Sequence, residues 1–271
     1  MVALLACAAP DLPPSDSAAP AVDTGAPELG PALEALLDSL VELNGAQVLA
    51  SYTAAASPAT DTCPAEAVTD GVELWHDDCE TDDGTRFVGT ASTQVLDDRF
   101  FDEPDFTVGG EGLFASAAIE GSDGTTWYGA GIAQHAHGTA VEGGATEGGA
   151  TVWRSLVQGV FHASAGDGWL AETLSADLEL RIELGADDQL ALEGGVGGLS
   201  GALSAVRFEG FTAERSCAAP PGGQLALRDA AGHWYELTPG CDGCGELVDG
   251  DGLVDTVCID PGALWSWDQP W

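Results

Sequence analysis

The sequence is that of a mainly β protein: an antiparallel meander forming a large curved sheet or partly closed barrel, with a short N-terminal helix and a disulfide-bonded C-terminal hairpin. Three observations lead there. From Thr173 to Leu184, the residues Leu174, Ala176, Leu178, Leu180, Ile182 and Leu184 alternate with Ser175, Asp177, Glu179, Arg181 and Glu183. That period of two belongs to a strand with one apolar face and one wet face. Turn clusters such as Asp82-Asp83-Gly84, Ser122-Asp123-Gly124 and Ala230-Ala231-Gly232 punctuate the chain, and Gly185-Ala186-Asp187-Asp188 turns it into Gln189 to Glu193. Connections this short join antiparallel neighbours, because parallel pairing needs a long crossover. Hydrophobic residues make up 45% of the chain, enough for a core, yet no apolar run reaches the roughly 18 residues of a membrane-spanning helix. About ten strands are expected between Thr85 and Leu237, with a two-sheet sandwich as the alternative.

The elements follow in chain order. Residues 1–6 read as the remnant of a signal peptide and residues 7–30 as a lipid anchor and stalk. Leu4-Leu5-Ala6-Cys7 resembles a bacterial lipobox, with an aliphatic residue at minus three and a small one before the cysteine that receives the lipid. The apolar stretch from Val2 to Ala6 is shorter than an export signal and has no basic residue, which places the natural start upstream. Pro10, Pro13, Pro14, Pro20 and Pro27, with Ser15 and Ser17, keep the next segment extended. At about 3 Å per residue it reaches on the order of 60 Å. Residues 31–240 form a helix plus the β domain, and residues 241–271 a Cys-rich hairpin and a Trp-rich segment packed on it. The helix is expected over Pro31 to Leu43, where Leu33, Leu36, Leu37, Leu40 and Val41 share a face and Asn44-Gly45 stops it. Val48 to Ala56 reads as a second, shorter helix.

There are seven cysteines: Cys7, Cys63, Cys79, Cys217, Cys241, Cys244 and Cys258. With Cys7 committed to lipid, an even number remains, which suits disulfides in an oxidising compartment. Cys63 is expected to pair with Cys79. Asp249-Gly250-Asp251-Gly252 is a hairpin turn. If Val248 faces Leu253, Cys244 falls opposite Val257, one residue short of Cys258, and Cys217 is left for Cys241. A competing register, with Arg228 facing His233, sets Cys217 opposite Cys244, but its extrapolation crosses Pro220, Pro221 and Pro239. Cys217, Cys241, Cys244 and Cys258 are also the ingredients of a four-thiolate zinc site, which an oxidising compartment disfavours. No helix signal follows Cys241-Asp242-Gly243-Cys244 to activate a redox thiol.

Charge restricts the partners. Forty-five acidic residues face seven arginines and no lysine, for a formal net charge of -38. Such a field repels phosphate backbones, so nucleic acid is excluded as a partner. It favours a cation, a basic partner or simple solvation. Asp249, Asp251 and Asp255 follow part of a calcium-loop pattern, but Leu247 stands where an early Asp belongs and the late Glu is missing. No cofactor is the main expectation, with calcium at Asp249, Asp251 and Asp255 as the alternative. Asp97, Asp98, Asp102, Glu103 and Asp105 form a second acidic group, and the stretch from Gly138 to Gly149, with no basic residue or following helix, reads as a mobile hairpin loop. His135 and His137 share one face of a strand, with His162 as a third candidate metal ligand. Nucleophile elbows, paired-histidine zinc helices, phosphate loops and Ser-x-x-Lys motifs are absent. Trp265, Trp267 and Trp271 crowd the C-terminus and serve either to stack on sugars or to close the core.

The lipobox-like start, the stalk, Cys63-Pro64, Trp75 to Cys79 followed by Asp83-Gly84-Thr85, and Cys241-Asp242-Gly243-Cys244-Gly245 together resemble surface lipoproteins of myxobacterial type. The resemblance implies a secreted β domain and no particular activity. The expected function is a non-enzymatic exported surface lipoprotein of the bacterial cell envelope, at the outer membrane or cell surface. It is held to the membrane by its lipid and binds a cation, a glycan or a protein partner. The alternative is an exported hydrolase with an unfamiliar acid/His site. Acids and histidines pointing into a concave pocket would mark the hydrolase, and a filled core with an aromatic or acidic outer face would mark the binding protein.

Overall fold

The computed structural model describes residues 29–40, 44–69, 72–76, 78–96, 106–140, 151–165, 170, 174–184 and 188–260. Two helices, α1 (Leu29–Leu40) and α2 (Gly45–Ala56), precede the strands. The first strands are β1 (Ala65–Thr69), β2 (Val72–His76), β3 (Cys79–Glu80), β4 (Arg86–Leu96) and β5 (Phe106–Glu120). Then come β6 (Thr126–Ala140), β7 (Thr151–Ala163), β8 (Leu174–Leu184), β9 (Gln189–Gly197) and β10 (Leu203–Glu214). The last are β11 (Gly222–Asp229), β12 (Trp234–Pro239), β13 (Cys244–Asp249) and β14 (Gly252–Cys258). All belong to one open antiparallel sheet in the order β1-β2-β4 and onward to β14, with β3 paired to β4 beside β2. This is the expected curved meander, and the sandwich alternative falls because there is one sheet. In β8 the alternation is visible directly: Ala176, Leu178, Leu180 and Ile182 are buried, while Ser175, Asp177 and Glu179 are exposed.

Four five-residue turns share one design. In residues 81–85, 121–125, 229–233 and 240–244, the first amide donates to the fifth carbonyl and the fourth amide to the first carbonyl. The fourth residue is Gly84, Gly124, Gly232 or Gly243, with φ of 86°, 86°, 95° and 77°. Glycine adopts that left-handed conformation at no steric cost, whereas a Cβ would meet the following carbonyl. Asp83, Asp123 and Asp242 each accept the amide two residues on, which ties the loop chemistry to the aspartates that the turn clusters carry.

The helices lie on the inner face of the sheet, α2 against β5, β6 and β7, and α1 against β10 and β14. Leu29, Leu33, Leu36 and Leu37 of α1 join Val48, Leu49 and Tyr52 of α2 in one core with Phe87, Trp127, Phe161, Leu180, Phe208 and Leu237 from the strands. Burying each large side chain contributes about 1.5–3 kcal/mol. Tyr52 meets Trp127 edge to face at 5.1 Å, and the Trp127 indole N–H donates to the Ser51 hydroxyl at 3.1 Å.

The boundary between the helices corrects the sequence expectation. Asn44-Gly45, expected to stop the first helix, starts α2, three residues before the expected Val48. The Asn44 side chain caps the helix by accepting the Gln47 amide at 2.9 Å, the standard way to satisfy an orphan first-turn donor. The Gly45 amide donates to the Ser155 hydroxyl of β7 at 2.8 Å. Gly45 is required because a Cβ there would overlap the Gln134 carbonyl and lie 2.7 Å from its backbone nitrogen.

Three disulfides join Cys63 to Cys79, Cys217 to Cys241 and Cys244 to Cys258. The one-residue mismatch in the C-terminal hairpin has a local cause. Val248 pairs with Leu253 as expected, but the register shifts there, Leu247 pairs with Asp255, and Cys244 consequently faces Cys258. A β-bulge adds one residue to β14, as bulges do.

Candidate functional site

His135 and His137 of β6 sit on the inner face beside the N-terminal end of α2. In register, His135 lies between Glu111 of β5 and Ser155 of β7, and His137 between Gly109 and Trp153. The His137 ring stacks on Trp153 with centroids 5.2 Å apart and planes inclined by 28°. Burial pushes His135 below the ordinary histidine range, the Glu111 carboxylate works against that, and His137 reinforces it. The ring is therefore held toward its neutral form. His162 does not join them. It pairs with Tyr128 and alternates with buried Phe161 and Ala163 of β7, so it lies on the outer face. Its Nε2 is 3.4 Å from the Thr126 hydroxyl. The pleat thus corrects the three-histidine expectation: two of the candidate ligands share a face and the third is behind the sheet.

At the C-terminal hairpin, Asp249 accepts the amides of Asp251 and Gly252 at 2.8 and 3.1 Å, and Asp255 accepts the Thr256 amide at 2.8 Å. The Asp249 carboxylate is engaged in shaping the turn. Among the described residues, no three His, Cys, Asp or Glu side chains converge closely enough to hold a metal ion. Cys7, the stalk through residue 28, the acids from Asp97 to Asp105, residues 141–149 of the glycine-rich stretch, and Trp265, Trp267 and Trp271 lie outside the described residues, whereas Leu29 and Gly30, expected to end the stalk, already belong to α1.

No family model, curated protein or solved structure matches the chain.

Three features were not singled out from sequence. Asp229, buried at the start of β11's turn, accepts the Tyr235 hydroxyl at 3.1 Å and the His233 amide at 2.8 Å. Burial pushes its carboxyl up, but the His233 amide, the Tyr235 hydroxyl, the His233 ring and the Gly232 amide together outweigh burial and hold it below the usual carboxylate range. Burial, then the Asp229 hydrogen bond, pushes the Tyr235 phenol up. Beside this knot, Trp234 is exposed on the outer face with the Arg228 guanidinium 6.0 Å from its ring centre.

The other two are clefts. One of about 340 Å³ lies on the outer face over β8, β9 and β10, where Arg181, Glu183, Gln189, Thr212 and Glu214 line it beside Ala219 and Pro220. Arg181 donates to Glu183 there, so the cleft's cation is already answered by a carboxylate. The second, of about 380 Å³, lies between the C-terminal half of α2 and the turns that enter β4 and β6. Its walls are Ala54, Ala55, Ile119, Trp127 and Ala163, and Asp83 and Asp123 stand among its polar groups.

Proposed function

We propose that this chain is a non-enzymatic, exported lipoprotein of a bacterial envelope, anchored by lipid at Cys7, whose β domain binds a small ligand or partner. The observation that carries it is the cysteine pairing. All six cysteines of the β domain are consumed in disulfides, which suits an oxidising compartment and leaves Cys7 as the odd one for a separate fate. Binding is favoured over hydrolysis because the inner face around α1 and α2 is filled with apolar side chains. Asp177, Glu179, Glu209, Glu236 and Glu246 meanwhile stand exposed on their strands. A net charge of -38 makes a cation or a cationic partner the natural ligand class.

The test is metabolic labelling with a radioactive fatty acid in a bacterial host, using the gene from its natural start. The wild-type chain is expected to take label and Cys7→Ser to take none. Equal labelling of both, or labelling of neither, refutes the anchor.

A further inference from the structure

Arg228 is the exception among the described arginines. Arg86, Arg154, Arg181, Arg207 and Arg215 each lie within 4.0 Å of a carboxylate, on Glu120, Glu179, Glu183, Glu209 and Asp188 respectively. Among the described residues Arg228 has no such partner, in a chain with 45 acids. Its guanidinium is held by a turn and an indole instead. Nε donates to the Gly232 carbonyl at 3.4 Å, and a Cβ at Gly232 would stand 3.2 Å from one terminal nitrogen, so the group packs where that side chain is missing. Trp234, its register partner on β12, has its ring centre 6.0 Å away. The N–H groups of the two terminal nitrogens make no hydrogen bond to a described residue.

Trp234 is a second, independent observation. In β12 the inward residues Tyr235 and Leu237 are buried, whereas Trp234, Glu236 and Thr238 are exposed on the outer face. Trp234 keeps 47% of its surface open to water and takes no part in the core. Val248 stands opposite Glu236, and Leu253, 64% exposed, stands opposite Val248. Apolar surface thus runs across three neighbouring strands at one rim, from Trp234 past Glu236 to Leu253. An open indole beside an oriented guanidinium is the composition of a binding hot spot.

The shape of the face selects the ligand. None of these residues lines either cleft, so a ligand meets an open surface and must bring its own apolar face and its own polar rim. A pyranose ring has both: C–H groups cover its faces and hydroxyls surround its edge. The indole face is negative, and the weakly positive C–H groups stack on it. The guanidinium fork presents parallel N–H donors to adjacent hydroxyls, and the Glu236 carboxylate is an acceptor on the same face. A net charge of -38 repels polyanions, and Arg228 repels a bare cation at this spot. A neutral sugar is indifferent to both fields.

We infer that the outer face around Trp234 binds a neutral oligosaccharide. One ring lies on the Trp234 indole with its hydroxyls on Arg228 and Glu236, and the chain runs over β13 towards Leu253. The inference rests on the binding reading above and gives this face a ligand class that net charge alone does not select.

Proton–nitrogen correlation spectra of the full chain, titrated with cellohexaose, test it. Each of the eight tryptophans gives one indole N–H signal, and Trp234→Phe identifies that of Trp234 by its loss. That signal is expected to move saturably. Arg228→Gln removes the fork and is expected to weaken binding about threefold or more, and Trp234→Ala about tenfold or more. Both side chains are exposed, and an unchanged melting temperature verifies that each variant folds. Tyr128→Ala removes an aromatic that is 42% exposed on β6 and is expected to leave binding unchanged. No saturable movement at Trp234, an unchanged affinity in Arg228→Gln, or an equal loss in Tyr128→Ala overturns the site. Tighter binding of hexagalacturonate than of cellohexaose overturns the neutral class. Because lipid on Cys7 is measured separately, a failed titration with a labelled Cys7 removes the ligand class and leaves the anchor standing.

Discussion

Replacing Gly45 by alanine separates two physical arguments that give opposite signs. Judged by helix propensity alone, alanine in place of glycine in a helix stabilises by up to about 1 kcal/mol. The packing says otherwise. The new Cβ would overlap the Gln134 carbonyl and lie 2.7 Å from the Gln134 nitrogen. These are backbone atoms of a central strand, paired on both sides with β5 and β7, so they cannot swing aside as a side-chain tip would. The helix must lift instead, at an overpacking cost of about 1–3 kcal/mol. Lifting also stretches the buried bond from the Gly45 amide to the Ser155 hydroxyl, now 2.8 Å, and an abandoned buried donor costs about 1–3 kcal/mol more. Subtracting the propensity gain leaves a net loss of about 1–5 kcal/mol. For a domain of this size, that lowers the melting temperature by about 2–20 °C. Far-UV circular dichroism melts under non-reducing conditions measure it. Gly197→Ala is the control, because nothing lies within 4 Å of a Cβ placed there, and it is expected to change little. Gly45→Ala melting at or above the wild-type temperature would refute the close approach of α2 to β6.

Two further predictions rest on single contacts. Thiol titration of the denatured, unreduced β domain should find no free cysteine. Replacing Cys244 and Cys258, 14 residues apart, by serine should cost about 3 kcal/mol in the chain-entropy model. Asp229 predicts the acid limb of stability: its carboxyl is held below the usual range, so its contribution is full above the unfolded carboxylate pKa and is lost as pH falls through the lower folded value. Tyr235→Phe removes one of its hydrogen bonds and should shift that loss to higher pH in urea melts collected between acid and neutral pH. An unchanged pH profile would show that the hydroxyl does not support the carboxylate.

The features legible in the sequence are those encoded locally. The strand from Leu174 to Leu184 announces its two faces through side-chain period alone, and burial follows that period residue by residue from Ser175 to Ile182. The turns at Asp83 and Asp123 carry the glycine and aspartate that their geometry demands, and the turn at Ala230 to Gly232 carries the glycine. Asn44-Gly45 was legible only in part, because the same pair of residues suits a helix stop and a helix start. What selects the start is Ser155, 110 residues away, accepting the Gly45 amide. The Cys244–Cys258 register missed by one residue for a related reason: a bulge between Leu253 and Asp255 depends on how the hairpin packs and leaves no mark in its alternation.

The site was less legible than the fold because its parts come from separate segments. Whether His162 faces His135 depends on the register between β6 and β7, and residues 141–150 between those strands have no sequence signal that sets it. A one-residue slip there would move every side chain of β7 to the other face. The cleft beside α2 draws on residues from Ser51 to Ala165. Asp83 and Asp123, taken singly, are ordinary turn aspartates, each explained by its own threonine. They line one cleft only because the turns entering β4 and β6 fall at the same end of an antiparallel meander, on the side where α2 ends. Antiparallel order brings alternate turns to one rim, so any acid that a turn requires for its own geometry is also delivered to a shared surface. In a chain with 45 acids and seven basic residues, that shared surface is negative by default.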